Sequence, residues 1–137
     1  MKLYKIISVQ KKSINGGKWT WTPGEWTPFR TPNICCAGWH LLESAGVVNW
    51  WFPGTMLWEA EGKDGEQHSY YKHCFGRAKI TRCLGRMTTR RRKSYTVLVR
   101  KMNRDINGQI RGRADKLRVE SDKIIERVFN GPAYYKK

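Results

Sequence analysis

The chain has 137 residues, a length that suits one domain with a single core and needs no metal or disulfide to close it. Its 27 Lys and Arg against 11 Asp and Glu give a net charge of +16, a field that attracts nucleic acid or another polyanion and repels basic partners. No run approaches the ~18 consecutive apolar residues of a spanning helix. The first residues also lack the apolar stretch and small-residue cleavage site of a secretory signal, so the expected location is cytoplasmic.

Leu3-Tyr4-Lys5-Ile6-Ile7-Ser8-Val9 alternates as a first strand, and Gly16-Gly17 then breaks the chain. In Lys18-Trp19-Thr20-Trp21-Thr22 the tryptophans share one face and the threonines the other, which predicts a second, half-buried strand. Pro23-Gly24 makes a turn, and Trp26 and Phe29 follow on a returning edge where Pro28 and Pro32 cannot donate to a ladder. Ser44 is a candidate N-cap for a short helix running to Phe52, closed by Pro53-Gly54. The adjacent Trp50 and Trp51 are not expected to be buried together, so this pair is the best candidate for an exposed tryptophan.

Thr55 to Glu61 reads as a strand with Met56, Trp58 and Ala60 on one side and Leu57, Glu59 and Glu61 on a wet side. A polar loop is predicted over 62–67, then a strand around 77–81 in which Arg77 and Lys79 make the outward face cationic. From Ser94 onward Tyr95, Leu98, Val99, Met102 and Ile106 form a helical stripe, with Lys93, Arg100, Arg104 and Arg111 opposite it. Asn107-Gly108 is the break. A second helix over 113–129 follows from Ala114, Leu117, Ile124 and Val128, with Asn130-Gly131-Pro132 as its stop. The result is an α+β fold: a Trp-rich antiparallel sheet with a short helix, followed by a basic C-terminal helical region. All of it forms one domain over 1–137, with a sheet-rich core over 1–84 and the basic extension over 85–137.

The stretch up to residue 84 carries Cys35-Cys36-Ala37-Gly38-Trp39-His40, an apolar segment ending in Pro53-Gly54, and Leu57-Trp58-Glu59-Ala60-Glu61-Gly62, followed by a basic strand near 72–80. In these features it resembles an uncharacterised domain of short tailed-phage and prophage proteins. That resemblance implies a phage setting and no particular activity.

Charge is distributed unevenly. Residues 1–75 hold eight Lys and Arg against six acids, and residues 76–137 hold nineteen against five. All seven tryptophans lie between Trp19 and Trp58, so the front of the chain reads as core and the back as contact surface. Between Arg77 and Arg113 thirteen cations stand against one acid, Asp105. The candidate nucleic-acid-binding set is therefore Arg77, Lys79, Arg82, Arg86, Arg90, Arg91, Arg92, Lys93, Arg100, Lys101, Arg104, Arg111 and Arg113. Each cation that neutralises a phosphate releases counterions, and arginine adds bidentate geometry. The expected partner is DNA or RNA, free or in a nucleoprotein complex, with no membrane role. Arg90-Arg91-Arg92-Lys93 has a second reading as a basic link.

Other chemistry is less well supplied. Cys35, Cys36, His40, His68, His73, Cys74 and Cys83 contain no CxxC pair, and adjacent cysteines on a strand point to opposite faces, so no metal or other cofactor is assigned and the cysteines read as reduced, buried thiols. No P-loop, GxSxG elbow, HExxH or paired-carboxylate motif is present, and no catalytic residue is assigned. The aromatic-His motif and following Glu strand are loosely similar to ADP-ribosyltransferase-like folds, an alternative that would need His40 to meet Glu59 or Glu61 in a pocket. A further alternative is an inhibitor that attaches to a host defence complex through the same cations.

Overall fold

The computed structural model describes residues 1–13, 18–34, 37–106 and 113–130, with the side chains of 103–106 and 113–115 outside the description. Four strands, β1 (Leu3–Ile7), β2 (Trp39–Leu42), β3 (Met56–Ser69) and β4 (Lys72–Arg86), close an antiparallel barrel in the order β1-β2-β4-β3. A 3-10 helix, Ser44–Trp50, links β2 to β3, and two helices, α1 (Thr89–Ile106) and α2 (Arg113–Asn130), follow the last strand. The α+β fold with a tryptophan cluster is the one the sequence predicts. The break at Asn107-Gly108 lies outside the described residues, as do Gly16-Gly17 and the Gly131-Pro132 stop.

The barrel has apolar residues on both faces of its wall because β1 is apolar on both. By the two-residue period, Leu3 and Ile7 face one side, where they pack with Trp21, Trp39, Leu41, Ala60, Phe75, Ala78 and Ile80. Tyr4 and Ile6 face the other and join a second cluster in which Leu57, Leu84 and Met87 of the sheet side meet Tyr95 and Leu98 of α1 and Ile125, Val128 and Phe129 of α2. The helices thus cover one side of the sheet wall.

Several expectations change for that reason. Leu57 is completely buried under the helices, so the side of β3 that carries Leu57 is covered and not wet. The register of β3 on β4 shifts at Leu57/Trp58 and again at Glu59/Ala60, so strict alternation does not survive along this strand. The predicted polar loop at 62–67 is strand: β3 runs on to Ser69, and the residues stay polar because this end of the hairpin extends into solvent. Its third irregularity, between Lys63 and Glu66, is where Asp64 and Gly65 adopt positive φ.

Trp19 to Thr22 does not form a ladder strand; it has an isolated bridge, Lys12 to Thr20, and the tryptophans serve as core plugs instead. Trp21 is buried, and both Trp19 and Trp21 meet Trp39 edge to face, at 5.8 and 5.3 Å between centroids. The returning edge at Trp26 and Phe29 does lie along β4, with Gly24, Thr27 and Arg30 donating backbone N–H to the carbonyls of Ile80, Ala78 and Gly76. It skips the intervening donors, as a proline-containing edge must. The short helix is a 3-10 turn capped from Glu43 and not from Ser44. Trp51 is buried with its Nε1 donating to Thr88 O at 2.9 Å, and Trp50 stays partly exposed.

α1 starts where Thr88 Oγ1 accepts from Arg91 N at 3.1 Å, an N-cap that fixes the basic run as helix and not as a link. Truncating Leu57 to Ala is expected to lower stability by about 2–5 kcal/mol, the cost of a cavity under the helices. A residue on a wet strand face would cost within about 0.5 kcal/mol, and chemical denaturation distinguishes the two.

Candidate nucleic-acid interface

The sequence-predicted cations separate into two groups. Arg77, Lys79 and Arg82 of β4 are neutralised by acids of β3: Arg77 Nε lies 3.1 Å from Asp64 and Lys79 Nζ 3.4 Å from Glu61. Arg82 grips Glu59 with Nε and Nη2 at 3.0 and 2.9 Å and also bonds Glu126 of α2. The Arg82 hydrogen bonds hold the Glu59 carboxyl below its ordinary range, and those two carboxylates hold the guanidinium above its own. Arg91 is structural too, donating to Arg86 O at 2.6 Å with its guanidinium 4.9 Å from the Phe129 ring centroid.

The second group is Arg86, Arg90, Arg92, Lys93, Arg100 and Lys101, all exposed and none ion-paired to an acid among the described residues. On α1 the helical period gathers Arg90, Lys93, Val97, Arg100 and Lys101 within an arc of about 100°, across the helix from the buried Tyr95. Arg90 to Lys101 spans about 16 Å of helix axis. An open groove of about 380 Å³ runs along this face between Thr89, Arg92, Lys93, Thr96, Val97 and Arg100. Arg104 and Arg113 belong to helices but their side chains lie outside the description, as does all of Arg111.

This arrangement is electrostatically unfavourable on its own. The first turn of α1 contains no acid, so its cations face the positive end of the helix dipole, at a cost of about 0.3–1 kcal/mol each. Like charges three residues apart, such as Arg90 and Lys93, add a few tenths of a kcal/mol. A bound anion removes both penalties.

The residues weighed for other chemistry have local roles. His40 Nε2 is 2.9 Å from Ile34 O, and burial lowers its basicity. Among the described residues no hydrogen bond or ion pair joins it to Glu59 or Glu61, which are held by Arg82, Lys2 and Lys79. Cys74 is buried, its Sγ 3.0 Å from Ala37 O, whereas Cys83 is exposed, contrary to the expectation of uniformly buried thiols; Cys35 and Cys36 lie outside the description. Gly38 has φ +86° and would place a Cβ 2.5 Å from Cys74 Sγ, so the glycine of the Cys-Cys-Ala-Gly-Trp-His motif is needed for that close approach. Among the described residues no three His, Cys, Asp or Glu side chains converge as metal ligands.

Two features escaped the sequence. His73 lies between two carboxylates, Nε2 2.7 Å from Glu43 and Nδ1 2.8 Å from Glu66, and Arg118 of α2 reaches the other Glu43 oxygen at 3.2 Å. This chain ties the hairpin to α2, and only the cross-strand register brings its members together. The other is Lys5, whose odd position on β1 puts it on the side of Leu3 and Ile7; the signal was a single charge within an apolar strand. Its Nζ donates to His40 O at 2.9 Å and sits 5.6 Å from the Trp21 ring centroid. Burial, with the Lys72 charge adding to it, pushes its ammonium down to about 8.

No protein-family model, curated protein or solved structure matches the chain. Among the described residues no helix is long and apolar enough to cross a membrane.

Lys5 makes stability depend on pH in a definite direction. Below about pH 8 folded and unfolded chains both hold its proton, and the folded chain bears the full cost of burying the charge; above that, only the unfolded chain stays protonated, up to about 10.5. Stability conferred at this site therefore rises between pH 8 and 10, by an amount on the order of 3 kcal/mol. Urea unfolding at pH 7, 8, 9 and 10 is expected to show that rise in the native chain and its loss in Lys5→Met.

Proposed function

We propose that the chain is a phage-type accessory protein that binds nucleic acid, free or within a nucleoprotein complex, through the solvent face of α1. The observation that carries this reading is the contrast between the two cation groups. Arg77, Lys79 and Arg82 of β4 have carboxylate partners, while Arg86 at the end of β4 and Arg90, Arg92, Lys93, Arg100 and Lys101 of α1 have none among the described residues. Phosphate supplies the missing counter-charge. A duplex carries one negative charge per ~1.7 Å of axis, so the ~16 Å of basic helix face meets a line of phosphates with several cations at once. The resemblance to a phage domain supports a setting in which phage or host nucleic acid is at hand.

Binding of this kind is salt-dependent and tolerant of sequence, since contacts to phosphate position a protein without reading bases. Affinity for a labelled duplex is expected to fall steeply as salt is raised from 50 to 200 mM. Replacing Lys93, Arg100 and Lys101 together by Gln is expected to reduce the slope of log affinity against log salt by about 2–3, at ~0.9 per phosphate contact. Arg77→Gln with Lys79→Gln is expected to leave the slope unchanged. Affinity indifferent to salt, or equal losses in the two variants, would overturn the assignment to α1.

A further inference from the structure

The turn joining β3 to β4 consists of two tyrosines, Tyr70 and Tyr71, beyond the last pair Ser69–Lys72. Tyr70 has φ +55°, a conformation in which a bulky residue is an outlier and for which Gly, Asn or Asp is the ordinary choice in a two-residue hairpin. Its side chain is 92% exposed, so the ring contributes little to the core in exchange for that strain. The tip is also held in place. Glu43 N donates to Tyr71 O at 2.8 Å, and Tyr71 Cβ lies over Gly46 so closely that a Cβ there would be 2.8 Å from it. A strained, exposed ring on a fixed backbone is a pre-positioned contact, the direction in which an outlier points to function.

Two clefts flank the tip. One, of about 330 Å³, contains Glu43 and Arg118 and belongs to the link between hairpin and α2. The other, of about 450 Å³, lies between the tip and the 3-10 helix and is lined chiefly by Leu42, Asn49, Trp50, Tyr70, Tyr71 and Lys72. Among the described residues no carboxylate borders this second cleft. Lys72 Nζ stands 5.0 Å from the Trp50 ring centroid, and the positive charge there is strong enough to help depress Lys5 and His40. Aromatic faces, one ammonium, one amide and no acid are the groups that hold a flat ring together with a negative charge.

We propose that this second cleft takes one nucleotide unit of a single strand, its base against Tyr70 and Trp50 and its phosphate on Lys72. The proposal rests on the nucleic-acid reading of α1 and specifies the form of the ligand, because a base within a duplex offers no free face to stack upon. Stacking on an aromatic side chain is worth about 1–3 kcal/mol per base, which is a change of roughly 5- to 150-fold in affinity.

The test uses the full chain with labelled dT12, the corresponding dA12·dT12 duplex and thymidine monophosphate as competitor. Tyr70→Gly relieves the backbone strain and is expected to keep or raise the thermal midpoint while weakening dT12 binding at least fivefold and leaving the duplex within twofold. Tyr70→Phe is expected to bind dT12 like the native chain. Displacement of dT12 by millimolar thymidine monophosphate from the native chain, and not from Tyr70→Gly, identifies a free nucleotide as a ligand of the same site; no displacement, with the dT12 loss in Tyr70→Gly intact, restricts the site to strands. Unchanged dT12 affinity in Tyr70→Gly, or equal losses for strand and duplex, with salt-sensitive duplex binding preserved, overturns this proposal alone. Failure of the native chain to bind either probe overturns the α1 reading with it.

Discussion

The placement of a small number of carboxylates decides what this protein presents to its surroundings. Eleven acids face 27 Lys and Arg, so most cations have no acidic partner available, and the fold determines which ones do. Glu59, Glu61 and Asp64 on β3 take the β4 cations opposite them, Glu43 and Glu66 enclose His73, and Glu126 joins α2 to Arg82. Each of these pairings also fixes one piece of the scaffold to another. Exposed ion pairs add little stability individually; their larger consequence here is that positive potential is cancelled at Arg77, Lys79 and Arg82 and left standing on α1.

The long β3–β4 hairpin makes that division geometrically possible. Its wall carries an apolar cluster on each side, and the side facing the helices holds α1 and α2 through Leu57, Leu84 and Met87. Thr88, just past the end of β4, caps α1, so the basic helix is tied directly to the strand that precedes it. At the other end of the same hairpin, Tyr70 and Tyr71 stand beside the 3-10 helix, with a cleft between them that no carboxylate borders among the described residues. Lys5 is a charge the barrel encloses at evident cost, offset in part by the His40 carbonyl and the Trp21 face.

Long-period features were legible in the sequence. The stripe of Tyr95, Leu98, Val99 and Met102 named α1 and its buried face, and the clustering of tryptophans before residue 59 located one of the two apolar clusters; the other draws Leu84, Met87, Ile125, Val128 and Phe129 from the half read as contact surface. Residues 62–67 looked like a loop because a strand extending into solvent on both faces has no apolar period to detect. Leu57 was assigned to a wet face because register shifts and helix cover are tertiary facts that two-residue alternation cannot carry. Trp19 and Trp21 have a strand-like spacing, yet what holds them is ring packing on Trp39. The division of the cations was invisible for a related reason: Arg77 and Arg100 are the same residue type, and only the register of β3 on β4 supplies one of them with Asp64.

The central claim is that α1, and not the carboxylate-paired β4 cations Arg77, Lys79 and Arg82, is the main surface that meets the polyanion. Amide chemical shifts of the isotopically labelled chain, followed while dT12 is added at low salt, test it residue by residue. The account predicts perturbations concentrated over residues 86–101 with a second set at 69–72, both reversed by added salt. Perturbations centred on residues 24–30 and 77–82, or none at all, would contradict it.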